Sequence, residues 1–111
     1  MVIEWLKFQV PSHHQIHFLE QDLAIWTQAL SQQPGFVGKE VWINPAIATE
    51  LILVIRWRTH AQWQAICPVF LASVEAKFRE AVGEQKYQMI ETGEYHVHRL
   101  PHIHVNLPAP K

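Results

Sequence analysis

One cysteine, Cys67, stands in the whole chain, so no intrachain disulfide can staple the fold. Charge is scarce as well. Asp, Glu, Lys and Arg make up 17% of the 111 residues, the net charge is -1, and no run of Lys or Arg occurs. The long-range field that gathers nucleic acid or acidic lipid is therefore missing, and neither is expected as a partner. The longest apolar run, Leu51 to Ile55, falls far short of the roughly 20 apolar residues that cross a bilayer. The opening stretch Val2 to Val10 lacks the charged, apolar and small-residue regions of an export signal. These absences lead to the expectation of a cytoplasmic protein without a membrane partner. What is present suits one domain: 49% of the residues are hydrophobic, enough for a single core at this length.

The chain is clearly punctuated. Pro11-Ser12 ends a first strand, and Ser12 with Gln15 has the spacing of a capping box, so a helix is expected from His13. Ile16, Leu19, Leu23, Trp26 and Leu30 recur every three or four residues, an apolar stripe that Pro34-Gly35 stops. Phe36 to Ile43 and Leu51 to Trp57 read as two strands. Thr59 with Gln62 repeats the capping signature, and Trp63 and Ile66 open a second stripe that Pro68 interrupts. Val74, Phe78 and Val82 resume it as far as Gly83. A last strand is expected from about Lys86, with a bend or bulge at Thr92-Gly93. The order is βαββαβ, an α+β ferredoxin-like unit with an antiparallel sheet and helices on one face.

Leu51, Leu53, Ile55 and Trp57 share one face of their strand, with Ile52 and Val54 on the other. The first strand is likewise apolar on both sides: Leu6, Phe8 and Val10 alternate with Ile3 and Trp5. A sheet with helices on one side would leave such residues exposed, so the bare face is expected to be covered by a second copy in an isologous homodimer.

Pro34-Gly35-Phe36, Val41-Trp42, Ile55-Arg56-Trp57 and the Thr59-His60-Ala61-Gln62-Trp63 helix start, in this order of elements, resemble the dimeric α/β barrel superfamily. The nearest branch is the antibiotic biosynthesis monooxygenase-like group, over residues 2 to 97. The resemblance implies a ligand cleft between sheet and helices, with Trp57 at the position of an aromatic that lines it. It also implies chemistry without a metal or flavin cofactor. The stronger reading of Trp57 is a core aromatic facing the helices, because large aromatics dominate the cores of small domains. The haem-degrading branch places an Asn on the first strand and a His on the second long helix; here the first strand ends in Gln9 and no His falls between Pro68 and Val82, which disfavours that activity.

Three function classes stay open. The first is a cofactor-independent monooxygenase acting on a small aromatic molecule, its cleft lined by Trp57, Trp5, Trp26, Trp63 and Phe78, with His60 as candidate base. The second is a protein that binds such a ligand in the same cleft without chemistry. The third is a structural or regulatory dimer whose pocket is filled by its own side chains. Cys67, with only Arg58 and His60 near it in sequence as cations, is expected to be a buried, unreactive thiol.

Four of the eight histidines form the pairs His96/His98 and His102/His104. In an extended chain each pair projects from one face about 6 to 7 Å apart, a spacing that suits two imidazoles on one metal ion. The stronger reading is a polar strand face, because no third and fourth ligand accompanies them at fixed spacing. His13, His14 and His17 are expected to be solvated. Residues 1–99 are thus read as the domain. Residues 100–111, with Pro101, Pro108 and Pro110, are read as an extended tail whose Ile103, Val105 and Leu107 dock it, across the partner subunit.

Overall fold

The computed structural model describes residues 1–100. Expectations for residues 101–111, His102 and His104 among them, lie outside the described residues. The elements are β1 (Val2–Gln9), α1 (Gln15–Gln21), a π-helical stretch (Asp22–Thr27), α2 (Gln28–Ser31), β2 (Phe36–Ile43), β3 (Glu50–Trp57), α3 (His60–Gln64), α4 (Pro68–Val82) and β4 (Gln88–His96). The strands form one antiparallel sheet in the order β2-β3-β1-β4, with helices on one face. This is the ferredoxin-like arrangement expected from the order of elements. No helix among the described residues is long and apolar enough to cross a membrane.

The two long helical regions differ in how closely they follow their sequence pattern. In α4, Val74, Phe78 and Val82 are buried as the spacing of four requires. Pro68 opens this helix at its first turn, where a missing N–H costs nothing, so α3 and α4 are separate helices. Gly83, at φ 94°, ends it. The first helical region departs from its expected stripe. Ile16 and Leu23 are exposed, at 74% and 66%, while Phe18 and Asp22 are buried. Two changes account for this. The wide turns of Asp22–Thr27 break the 3.6-residue period, and Phe18 is drawn against Phe8 and Phe78, with ring centroids 5.2 and 5.3 Å away.

The two capping signatures also part ways. Thr59 Oγ1 accepts from the Gln62 amide at 3.1 Å, as expected. Ser12 makes no cap, and the Gln15 side chain instead donates to the carbonyls of Val10 and Ala48, pinning the helix start to the β2–β3 turn. Gly35 needs to be glycine: its φ is 89°, and an added Cβ would come within 2.5 Å of the Gln62 side chain. The irregularity in β4 lies at the Lys7/Phe8 step of its pairing with β1, which leaves Ile90 without a partner, rather than at Thr92-Gly93.

Register places the charges. One transverse row of helix-facing positions runs Lys39, Ile55, Glu4 and Glu94 across β2, β3, β1 and β4. The neighbouring positions of the same strands, including Trp5, Trp42, Val54, Arg56 and Tyr95, point to the opposite, uncovered face.

Candidate functional site

Between the sheet and the helices lies a cavity of about 660 Å³, a size that accommodates a small organic molecule. Trp26, Trp57, Trp63 and Phe78 line it together with Leu53, Ile55 and Leu71. Four of the five aromatic residues picked out from the sequence thus meet around one space. The fifth, Trp5, does not: the alternation that turns Leu6 and Phe8 toward the helices turns Trp5 away. Its ring meets Tyr95 edge-on at 6.4 Å, under the Lys7 ammonium. Trp57 is fully buried and packs edge-on against Phe36 at 5.8 Å, so it is at once a core aromatic and a cavity wall.

Polar groups reach this space in two sets. The Trp57 indole Nε1 donates to Glu4 Oε1 at 3.3 Å. Burial holds the Glu4 carboxyl above its ordinary value, although the indole hydrogen bond and the Lys39 charge pull it down. Beside it, Lys39 Nζ lies 2.6 Å from Asp22 Oδ2, with both side chains buried. The Asp22 carboxyl is also pushed up by burial, against the opposing pull of Lys39. Glu4, Asp22 and Lys39 all line the cavity. They come from β1, the start of the π-helical stretch and β2, which is why no local motif announces them. The second set is Glu75, Arg79, Glu84 and Tyr87; Glu75 Oε1 accepts from Arg79 Nε at 3.2 Å and from the Tyr87 hydroxyl at 3.4 Å.

His60, the candidate base, stands outside the cavity lining. It packs edge-on against Trp63, which does line it, at 5.9 Å. Its Nε2 lies 3.3 Å from Glu94 Oε1, and His96 Nε2 lies 2.7 Å from Glu94 Oε2. The hydrogen bond from His96 is the main cause that holds the Glu94 carboxyl low. His98 is exposed beyond the end of β4. Among the described residues no group of three or more His, Cys, Asp or Glu is arranged to hold a metal ion. Cys67 is exposed, not buried; it precedes the first turn of α4, and Ile66 takes the inward position beside it.

The sequence profile of the antibiotic biosynthesis monooxygenase family matches residues 1–67. No curated protein matches the chain. Among solved structures, SnoaB, a cofactor-independent oxygenase from Streptomyces nogalater, superposes with a TM-score of 0.59 at 16% identity, covering 89% of this chain and 94% of that one. A candidate antibiotic biosynthesis monooxygenase from Deinococcus radiodurans gives 0.63 at 17% identity, with 93% and 98% covered. A conserved protein from Methanosarcina mazei Go1 gives 0.60 at 15% identity, with 85% and 89% covered. At these identities the likeness is one of fold.

Proposed function

Because the chain belongs to the antibiotic biosynthesis monooxygenase family, we propose that it takes a small, flat hydroxyarene into the cavity and oxidises it with dioxygen, without a bound metal or flavin. The observation that carries this reading is the combination in one space of aromatic walls, Trp26, Trp57, Trp63 and Phe78, with a half-buried carboxylate, Glu4, at the Trp57 edge. Aromatic walls favour a planar ring by stacking and burial, and the water such a ring displaces from between them would leave an anionic carbon nucleophile less solvated and more reactive. The overall change balances as hydroxyarene plus dioxygen to quinone plus water. One oxygen atom enters the ring as a carbonyl, and the other leaves with two substrate hydrogens. Dioxygen uptake with a panel of phenols, naphthols and anthrones tests the proposal, tryptophan fluorescence reporting binding in parallel. Quenching without uptake across the panel would support a binding protein instead, and neither response would remove the cavity as a ligand site.

The same reading includes a homodimer formed through the uncovered sheet face. Trp42 and Tyr95 are 44% and 55% exposed there. They stand on the two edge strands, with Trp5, Ile52 and Val54 on the central strands between them, and the Arg56–Glu40 pair at 2.8 Å and Lys7 between Glu50 and Glu91 are interspersed among these side chains. Exposed aromatics mixed with arginine are a composition that protein interfaces favour. Sedimentation across a concentration range tests it. A monomer at all concentrations would sink the dimer.

A further inference from the structure

We propose that Glu4 is the proton-accepting residue of the cavity, taking the hydroxyl proton of a bound hydroxyarene through its second carboxylate oxygen while Lys39, steadied by Asp22, faces the phenolate. This rests on the ligand-binding reading above and adds to it a residue, a direction of proton transfer and a preference between ligand classes.

Most carboxylates around the cavity are already paired with a cation. Asp22 holds Lys39 at 2.6 Å. Glu75 holds Arg79 and Tyr87. Glu94, opposite Glu4 on β4, holds His60 and His96. Glu84 also lines the cavity but is exposed. Glu4 differs from all of these in being half-buried with no cation bridged to it among the described residues. One oxygen accepts the neutral Trp57 indole N–H, and the other has no hydrogen-bond partner among the described residues, yet no buried side-chain oxygen is left unpartnered. The second oxygen is therefore open to the space that Glu4 lines. Asp22 and Glu75 each have one unbonded oxygen too, but their other oxygen is held by a cation. A carboxylate such as Glu4, with one oxygen fixed by a neutral donor and the other free, is oriented for proton transfer and unspent.

The charges around it point the same way. Lys39 from β2 is the charge that acts on Glu4; Asp22 from the π-helical stretch holds Lys39, Glu94 stands opposite Glu4 in the β1–β4 register, and Trp57 from β3 donates to Glu4. Asp22 pairs with Lys39 and Glu75 with Arg79, which leaves Glu4 and the exposed Glu84 as the unpaired charges of the lining. A ligand that enters as a carboxylate adds a further negative charge beside Glu4 and is disfavoured. A neutral hydroxyarene brings its own proton: its O–H bond breaks, the proton goes to Glu4, and the electron pair stays on the aryl oxygen. The cavity then holds the same net charge as before, moved from carboxylate to phenolate. The burial that raises Glu4 makes it a stronger base than a solvated glutamate, as a proton acceptor working near neutral pH requires.

The test uses the intact protein with 4-nitrophenol, whose phenolate has its own absorption band, at a pH just below the probe's free titration. Tryptophan quenching reports binding and the phenolate band reports proton transfer. Wild type is expected to bind the probe and raise its phenolate band, and to bind 4-nitrobenzoate at least about tenfold more weakly. Glu4→Gln, nearly isosteric, is expected to keep binding within about threefold while the phenolate fraction falls by about tenfold or more. Glu4→Asp should restore part of the band, and Glu91→Gln, on the open face of the sheet, should leave it intact. If Glu4→Gln binds the probe and keeps the band, or if wild type binds it only in the neutral form, the role of Glu4 is overturned and the cavity reading survives. If no variant, wild type included, binds the probe or any member of the phenol panel, the ligand-binding reading itself fails.

Discussion

The two faces of the sheet are built from alternate residues of the same four strands, and they treat charge in opposite ways. On the open face Arg56 meets Glu40 and Lys7 meets Glu50 and Glu91, all within reach of water, where pairing contributes little to stability. On the covered face Asp22 and Lys39 are enclosed, and Glu4 faces a cavity with apolar walls. A charge there keeps its ionised form only through its partners, and its chemistry becomes a property of the cavity. A shift of one position along β1 separates Trp5, a surface aromatic, from Glu4.

The comparison is broken most severely by removing what the covered face encloses. Trp57→Ala is expected to cost about 3–5 kcal/mol in chemical denaturation at any protein concentration, because it empties a fully buried ring and frees the Glu4 carboxylate. Lys39→Met leaves Asp22 enclosed without its cation and is expected to cost about 3–5 kcal/mol as well. The pair Asp22→Leu with Lys39→Met should recover most of that loss. The equivalent change on the open face, Arg56→Met, should leave the melting temperature within experimental scatter. If Arg56→Met proved as costly as Lys39→Met, the distinction between the faces would collapse.

Smaller effects sharpen it. Trp42→Glu should cost the isolated protomer little, yet lower the oligomeric mass in sedimentation and remove the concentration dependence of melting. Glu4→Gln carries a sign that can be worked out. The folded-state value of Glu4 is raised, so its stabilising contribution is complete below the ordinary value of 4.5 and is lost as pH rises through the raised value. The variant should therefore match wild type in acid and become the more stable of the two as pH rises. A gain that grew toward acid instead would mean that Glu4 is stabilised as the anion.

Most of the architecture was legible because strand parity and the α4 stripe agree with local propensity. Parity reaches further than the expected lining: Leu6 and Phe8 facing the helices place Glu4 inside and Trp5 outside, so alternation along β1 exchanges one for the other at the cavity. The same reading of β2 places Lys39 inside. Asp22 was hidden for a different reason. A regular helix stripe through Ile16 and Leu23 leaves no room for a wide-turned segment, and no residue type marks where one begins. The approach of His60 to Glu94 and His96 depends on how α3 sits over the sheet, which no spacing along the chain encodes.

That wide-turned segment gives the connection between β1 and β2 a hidden slack. Each residue of a regular helix advances the chain by about 100° around the axis, so Asp22–Thr27 acts as a rotary offset between Phe18 upstream and Leu30 downstream. In a regular helix of the same length Leu30 would turn away from Phe18 by roughly that angle. The wide turns store one extra residue, and losing one there would return the coil to its regular period with Phe18 and Leu30 still on the same side. Insertion and deletion are therefore unequal changes at this place: the coil absorbs the second and has no regular way to absorb the first.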